Sequence, residues 1–149
     1  MIKRDVFHIR LKNMELQAER IMDPVLKTRP VAIISSSHPN GTIISLSPEA
    51  EDEGLFPGMK VSVVRKMSHG VQLLPYNRSL YARINQYVYQ TVSMFTSVVE
   101  PRGVGEFYLD MNGMRAIRGH VQNTALSIIQ RIQEQTSIMV RVGDRQSVV

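Results

Sequence analysis

The residues able to do chemistry here are carboxylates. The chain has no cysteine, which excludes disulfides, thiolate zinc sites and cysteine nucleophiles together. Its four histidines, His8, His38, His69 and His120, stand far apart with no ligand spacing and read as incidental surface or core residues. Acidic side chains gather instead in Val98-Val-Glu-Pro-Arg-Gly-Val-Gly-Glu-Phe-Tyr-Leu-Asp110, where Pro101 and Gly103 punctuate a hairpin and Glu106 to Asp110 alternates as a half-buried strand does. Strand side chains repeat every second residue, so Glu106 and Asp110 share a face. Anionic oxygens of this kind hold hard divalent cations, although the same alternation describes an ordinary strand with one solvated side.

The elements that must position these residues can be read in order. Asp5 to Leu11 alternates as a strand, and Asn13 to Met22, rich in Glu, Gln, Leu and Ala, predicts a helix stopped at Asp23-Pro24. Val31–Ile34 and Thr42–Ser45 are strands whose connection carries Asn40-Gly41, a turn signal because both residues tolerate positive φ. Ser47 is an N-cap for a short acidic helix with Pro48 in its first turn, ended by Gly54. A further short helix follows Pro57-Gly58 through Met67, then a strand Val71–Leu74. Apolar residues at helical spacing predict long helices over Arg78–Thr96 and Ala116–Gln135, the second carrying Ile117, Val121, Ala125, Ile128, Ile129 and Ile132, and Ile138–Val142 reads as a last strand.

This order implies an α+β fold: a mixed sheet with the two long helices on one face and an inserted lobe over about residues 14–77. A chain of 149 residues, 43% hydrophobic and 21% charged, builds a real core. No apolar run approaches the roughly 18 residues of a membrane span and no signal-peptide core follows Met1, so a cytoplasmic protein with no membrane partner is expected. A net charge of +5 favours a polyanionic partner. Arg4, Lys60, Arg65, Lys66, Arg115 and Arg118 are candidate phosphate contacts, foremost Lys60, Arg65 and Lys66.

The hairpin resembles the motif V-E-P-x-S-[IL]-D-E-A-[YF]-L-D of the Y-family (DinB/UmuC, ImpB/MucB/SamB) translesion DNA polymerases. Glu100, Pro101, Glu106, Tyr108, Leu109 and Asp110 match it, whereas Gly103 and Gly105 stand where that family has Ser and a catalytic Asp. Phe7-His8-Ile9 with Glu19 is similar to the family's opening strand and helix, and Arg29-Pro30-Val31-Ala32 to its K-P-V-A-V strand. Ser47, Glu49, Ala50, Gly54 and Gly58-Met59 follow S-Y-E-A-R-K-F-G-[VI]-x-[SG]-G-M-P, and Leu74-Pro75, Tyr81 and Val142-Gly143 fit later landmarks. The collinear order covers nearly the whole chain. It implies a palm from residues 1–13 and 78–149 and a fingers-like insertion over 14–77, with the chain end at Asp144–Val149 cutting a continuing element.

The resemblance fails where the family's chemistry resides. Its three metal-binding carboxylates fall on Arg10, Gly105 and Glu106, so one acid survives. A guanidinium about 4 Å from a divalent ion would be repelled by roughly 8 kcal/mol at an effective dielectric near 20. Arg10 is therefore expected to pair with Glu106, with Lys12 on the same strand face. The nucleotide-binding Tyr and Arg become Pro48 and Glu51, which places an anion where phosphate oxygens would sit, and the aromatic pair containing the sugar-discriminating residue becomes Met14-Glu15.

What the resemblance then implies is a catalytically degenerate homologue of ImuB type: an adaptor for an error-prone polymerase in damage-induced (SOS) translesion synthesis and DNA repair. It implies no metal site and no cofactor, weak binding to DNA, and contacts with the sliding clamp and the polymerase through regions beyond residue 149. The competing expectation is an active nucleotidyltransferase using Mg²⁺ with displaced ligands drawn from Asp5, Glu106 and Asp110. A third is an α+β domain of unrelated function.

Overall fold

The computed structural model describes residues 6–111, 121–138 and 140–144. Among the described residues, seven strands and five helices follow one another as β1 (Val6–Leu11), α1 (Met14–Met22), β2 (Val31–Ile34), β3 (Ile43–Leu46), α2 (Pro48–Asp52), α3 (Val61–Met67), β4 (Gln72–Pro75), α4 (Arg78–Val92), β5 (Val99–Pro101), β6 (Glu106–Asp110), α5 (Val121–Thr136) and β7 (Val140–Asp144). A 3₁₀ turn at Pro24–Thr28 separates α1 from β2. The chain divides into two compact units, one made of Met1–Met14 with Ser79–Val149, the other of Glu15–Arg78.

The first unit holds a sheet ordered β5-β6-β1-β7. Phe7 and Ile9 of β1 face Leu109 and Phe107 of β6, and with Leu11 all are buried on one side, as alternation demands. Helix α4 covers that side, the Tyr89 ring lying 6.2 Å from Phe107. Helix α5 joins α4 where the Thr91 hydroxyl and the Gln135 side-chain amide hydrogen-bond at 2.7 Å, and buries Ile128 and Ile132.

The α+β class is as expected, with one correction of detail. All described pairs in this sheet are antiparallel, and parallel pairing occurs only in the second unit, between β2 and β4. A parallel pair requires a crossover, and β3, α2 and α3 supply one between β2 and β4.

Helix ends also depart from the periodicity. Helix α4 stops at Val92 rather than Thr96. Thr91 and Ser93 hydroxyls donate back to the Tyr87 and Tyr89 carbonyls, and Met94 and Phe95 N–H groups reach only to residues 91 and 92, tightening the last turn. The expected start of α5 at Ala116, and Ile117, lie outside the described residues. After α5, Ser137 adopts φ 60° to reverse the chain, so β7 begins at Val140 and Ile138 is a buried linker residue.

In the second unit β2 is central, flanked by β3 antiparallel and β4 parallel, and all four of its residues are buried. Ala32 and Ile34 pack with Leu46, Val61 and Val64 on one side, while Val31 and Ile33 pack with Leu16 and Leu26 on the other. A strand covered on both faces reads as a continuous apolar run. The loop from β2 to β3 is longer than the Asn40-Gly41 signal suggests, and neither residue has positive φ. Gly41 is required for space, because a Cβ there would collide with the Ser36 carbonyl oxygen.

Candidate functional site

The open side of the β1–β6 pair carries the side chains that the alternation turns away from the core. Register places Arg10 directly opposite Glu106 and His8 opposite Tyr108. Arg10 Nε lies 3.6 Å from Glu106 Oε1, an ion pair between a side chain 62% exposed and one 35% exposed. His8 Nε2 lies 4.0 Å from Glu106 Oε2, too far for a hydrogen bond, and that nitrogen is buried without a partner. The His8 ring stacks on Tyr108, with centroids 4.6 Å apart and planes 11° apart, and the Arg102 guanidinium sits 5.3 Å above the Tyr108 ring. Arg102 also pairs with Glu100 at 3.2 Å.

The hairpin tip is fixed by backbone geometry. Gly103 and Gly105 take φ +102° and +79°, a left-handed region that costs L-residues roughly 1–2 kcal/mol. Gly105 N–H donates to Asn85 Oδ1 at 2.7 Å, and the Gly105 carbonyl accepts from Leu11 N–H at 2.8 Å. A Cβ on Gly105 would stand 3.3 Å from Leu11 Cβ and 3.6 Å from Met14 Sδ. The position where the resemblance calls for an aspartate is thus conformationally a glycine site, with Leu11 close against it.

Three of the expected site residues, Arg10, Gly105 and Glu106, are brought together here. Lys12 is not part of the strand face: β1 ends at Leu11, and Lys12 lies in the turn leading to α1. His8 occupies that flank of Glu106 from the other direction. It was overlooked because no ligand spacing marks it; its alternation with Arg10 is the available signal.

A pair of divalent ions does not fit this donor set. Glu106 is engaged by a guanidinium, and Asp110, four residues along the same strand, is about 13 Å away at roughly 3.3 Å per residue. Among the described residues there is no group of three or more histidines and carboxylates able to hold a metal. Asp5 lies outside the described residues.

The positions expected for the nucleotide belong to the second unit and to two helix starts. Glu15 is the acidic residue in the first turn of α1, where it meets the positive helix end. Pro48 is the first residue of α2 and Glu51 lies in its first turn. Ser47 caps this helix, its Oγ accepting from Ala50 N–H at 3.2 Å and from Val31 N–H at 2.9 Å. Glu49 pairs with Arg20 at 3.0 Å. Its carboxyl is held below the ordinary value, first by a backbone N–H bond and further by Arg20, against the opposing effect of burial.

Of the candidate phosphate contacts, exposed Lys60 occupies the N-cap position of α3 without a side-chain cap bond. Arg65 donates to the Ser37 carbonyl at 3.3 Å and so braces a loop, while Lys66 is exposed in the last turn of α3. Arg4, Arg115 and Arg118 lie outside the described residues. No helix of the described residues is long and apolar enough to cross a membrane.

Comparison with known proteins agrees with this architecture. A DNA polymerase IV from Dehalococcoides mccartyi is 28% identical over 143 residues, covering 96% of this chain and 37% of the relative. One from Moorella thermoacetica is 32% identical over 125 residues, covering 82% of this chain and 31% of the relative. The chain thus spans well under half the length of these curated relatives. The crystal structure of DinB from Sulfolobus solfataricus superposes with a TM-score of 0.84 at 21% identity, over 97% of this chain and 42% of that one, which is a likeness of fold. The family model described as impB/mucB/samB matches residues 9–144. With the strand order, hairpin and helix landmarks in that same collinear arrangement, the chain belongs to the impB/mucB/samB family of Y-family DNA polymerase homologues.

Proposed function

We propose that this chain serves DNA repair as a non-catalytic homologue of the translesion polymerases, an adaptor that assists an error-prone polymerase rather than transferring nucleotides itself. The observation that carries the reading is the Arg10–Glu106 pair across β1 and β6, at 3.6 Å, beside a left-handed Gly105. A fixed cation occupies the place of a bound one, and the remaining carboxylate is used within the sheet. Pro48, Glu51 and Glu15 support the same reading, because their residue types suit helix starts and do not suit phosphate or sugar contacts. DNA is the proposed polyanionic partner, held weakly and without sequence preference through groups such as Lys60 and Lys66, with affinity falling steeply as salt rises. The sliding clamp and an error-prone polymerase are the protein partners this role calls for, in the cytoplasm.

The second reading, an active translesion DNA polymerase with displaced Mg²⁺ ligands, is favoured by the relatives being DNA polymerase IV. Two measurements separate the readings. Mn²⁺ binding followed by electron paramagnetic resonance, with and without dNTP, should show no site on the adaptor reading. Primer extension with Mg²⁺ or Mn²⁺ should give no templated product, with a polymerase IV relative as the positive control. A stoichiometric Mn²⁺ site strengthened by dNTP, or templated incorporation, establishes the second reading and ends the first.

A further inference from the structure

Charge is divided unequally between the two units. The first contains eleven Lys and Arg against six Asp and Glu, the second seven against seven, so the whole excess of +5 belongs to the first. A polyanion is therefore drawn to the unit that holds the four-stranded sheet.

One row of that sheet concentrates the excess. Register places Arg10 of β1 between Glu106 of β6 and Arg141 of β7. Cross-strand partners share a face, and the alternation of β7 agrees, since Val140 and Val142 stand opposite the core residues Leu11 and Ile9. Two arginines thus occupy adjacent positions on the open face, with one carboxylate in their row. Glu106 is two strands from Arg141, roughly 10 Å at about 4.8 Å per strand. Of the other acids on that face, Glu100 pairs with Arg102 at 3.2 Å, and Asp110 is about 13 Å along β6 from Glu106. Nor does Glu106 satisfy Arg10. The 3.6 Å between Nε and Oε1 is longer than a hydrogen bond, and the Arg10 side chain, 62% exposed, donates none among the described residues. Like charges directly opposite each other destabilise a strand pair, and an anion seated between them removes that repulsion.

We infer that Arg10 and Arg141 form a phosphate-binding site, which takes the phosphodiester backbone of a nucleic acid directly and without a metal ion. Two guanidiniums and one carboxylate leave the row a single positive charge, the complement of one phosphodiester. The guanidinium fork suits phosphate, whose oxygens accept two parallel N–H bonds. In the neighbouring row Gly143 stands opposite His8, so a strand of nucleic acid crossing there meets no side chain from that position of β7. The inference rests on the proposal that DNA is the partner, and it adds to Lys60 and Lys66 of the second unit a contact on the sheet of the first.

Fluorescence anisotropy of a labelled single-stranded dT oligomer, titrated with the chain in EDTA over a series of salt concentrations, tests the site. Far-UV circular dichroism confirms that each variant folds. The wild type should bind less tightly as salt rises, and an abasic phosphodiester oligomer of the same length should bind within about threefold, because the site takes phosphate and not base. Arg10→Ala and Arg141→Ala should each weaken binding about fivefold at low salt and lower the slope of log affinity against log salt by about 0.7, the value of one phosphate contact on a single strand. Arg141→Lys should keep the slope and lose only part of the affinity, since charge remains and the fork does not. Arg131→Ala, on α5 outside the sheet, should change neither quantity. Binding indifferent to Arg10 and Arg141, or weakened as much by Arg131→Ala, overturns the site while leaving the non-catalytic reading standing, because primer extension decides that reading. Binding that Mg²⁺ tightens also overturns it, as does displacement of the oligomer by equimolar dNTP, which would make the ligand a free triphosphate.

Discussion

The two units treat the positions that the family resemblance singles out differently. In the first, Arg10 and Glu106 lie on the open face of an antiparallel sheet, where what a residue does is set by its cross-strand neighbour. In the second, Glu15, Pro48 and Glu51 lie in the opening turns of two helices, where their roles are local: an acid at a positive helix end, or a proline that lacks an N–H no helix bond would use. Residues at these positions thus form a long-range pair in one unit and serve helix-start chemistry in the other. The first kind of arrangement should show energetic coupling between distant positions. The second should not.

The largest expected effect tests whether the units are separable at all. Phe107 is fully buried beneath α4, and Phe107→Ala should cost about 3–5 kcal/mol through lost burial and a residual cavity. If the units unfold semi-independently, a calorimetric scan of this variant should resolve an early transition for the first unit and leave the second near its original temperature. A single transition shifted as a whole would show one cooperative block.

Next in size come the points where each unit fixes its own geometry. Gly105→Ala should cost about 2 kcal/mol, combining left-handed backbone strain with contact against Leu11, whereas Gly54→Ala, at φ +89° with nothing within 4 Å, should cost about 1 kcal/mol from strain alone. Ser47→Ala should cost about 2 kcal/mol, because a fully buried hydroxyl that accepts from both Val31 and Ala50 would leave both donors unsatisfied. Chemical denaturation measures all three. Equal costs at Gly54 and Gly105 would mean that the hairpin tip relaxes around an added side chain.

These contrasts also show what the sequence made legible. The alternation of β1 and β6 and the stripes of α4 and α5 follow from periods of 2 and 3.6, and the cap at Ser47 is local, so all are readable within a short window. The joining of Arg10 to Glu106 spans 96 positions and was readable only through the family resemblance, because register is a property of pairing. The place of His8 beside that pair was missed for the same reason, having no local mark. The end of β1 at Leu11, which removes Lys12 from the face, depends on the Leu11–Gly105 bond and is likewise non-local. The end of α4 at Val92 was displaced from Thr96 by hydroxyl back-bonds, a detail that periodicity does not encode.

The coupling itself is a smaller quantity. A double-mutant cycle on Arg10→Ala and Glu106→Ala should give about 0.5 kcal/mol, the scale of a partly exposed ion pair, and should fall toward zero in about 1 M salt. The same cycle on Glu51 with Arg10 should give nothing, as expected if the helix-start acid acts locally. A coupling between Glu51 and Arg10 comparable to the sheet pair would mean that remnants of a common site persist, and the contrast between the units would fail.

The smallest expected effect is a titration. The Glu49 carboxyl lies below its ordinary value, with the backbone N–H bond as the leading cause and Arg20 as a lesser one, while burial opposes both. A depressed folded-state pKa means that the unfolded chain binds the proton more readily. The contribution to stability is therefore complete above the unfolded value, and it is lost as pH falls through the folded value, on the acid side of the ordinary glutamate range. Because the carboxylate is partly exposed, solvent screening keeps that contribution small. Arg20→Met should raise the Glu49 pKa measured by NMR only part of the way back, since the helix-start bond remains, and it should also release the Leu26 and Arg29 carbonyls that Arg20 now holds at 2.9 and 3.0 Å. Full return of the pKa to its ordinary value would show that the distant arginine, and not the local backbone, sets the charge at this helix start, which would place the second unit under the same long-range rule as the sheet.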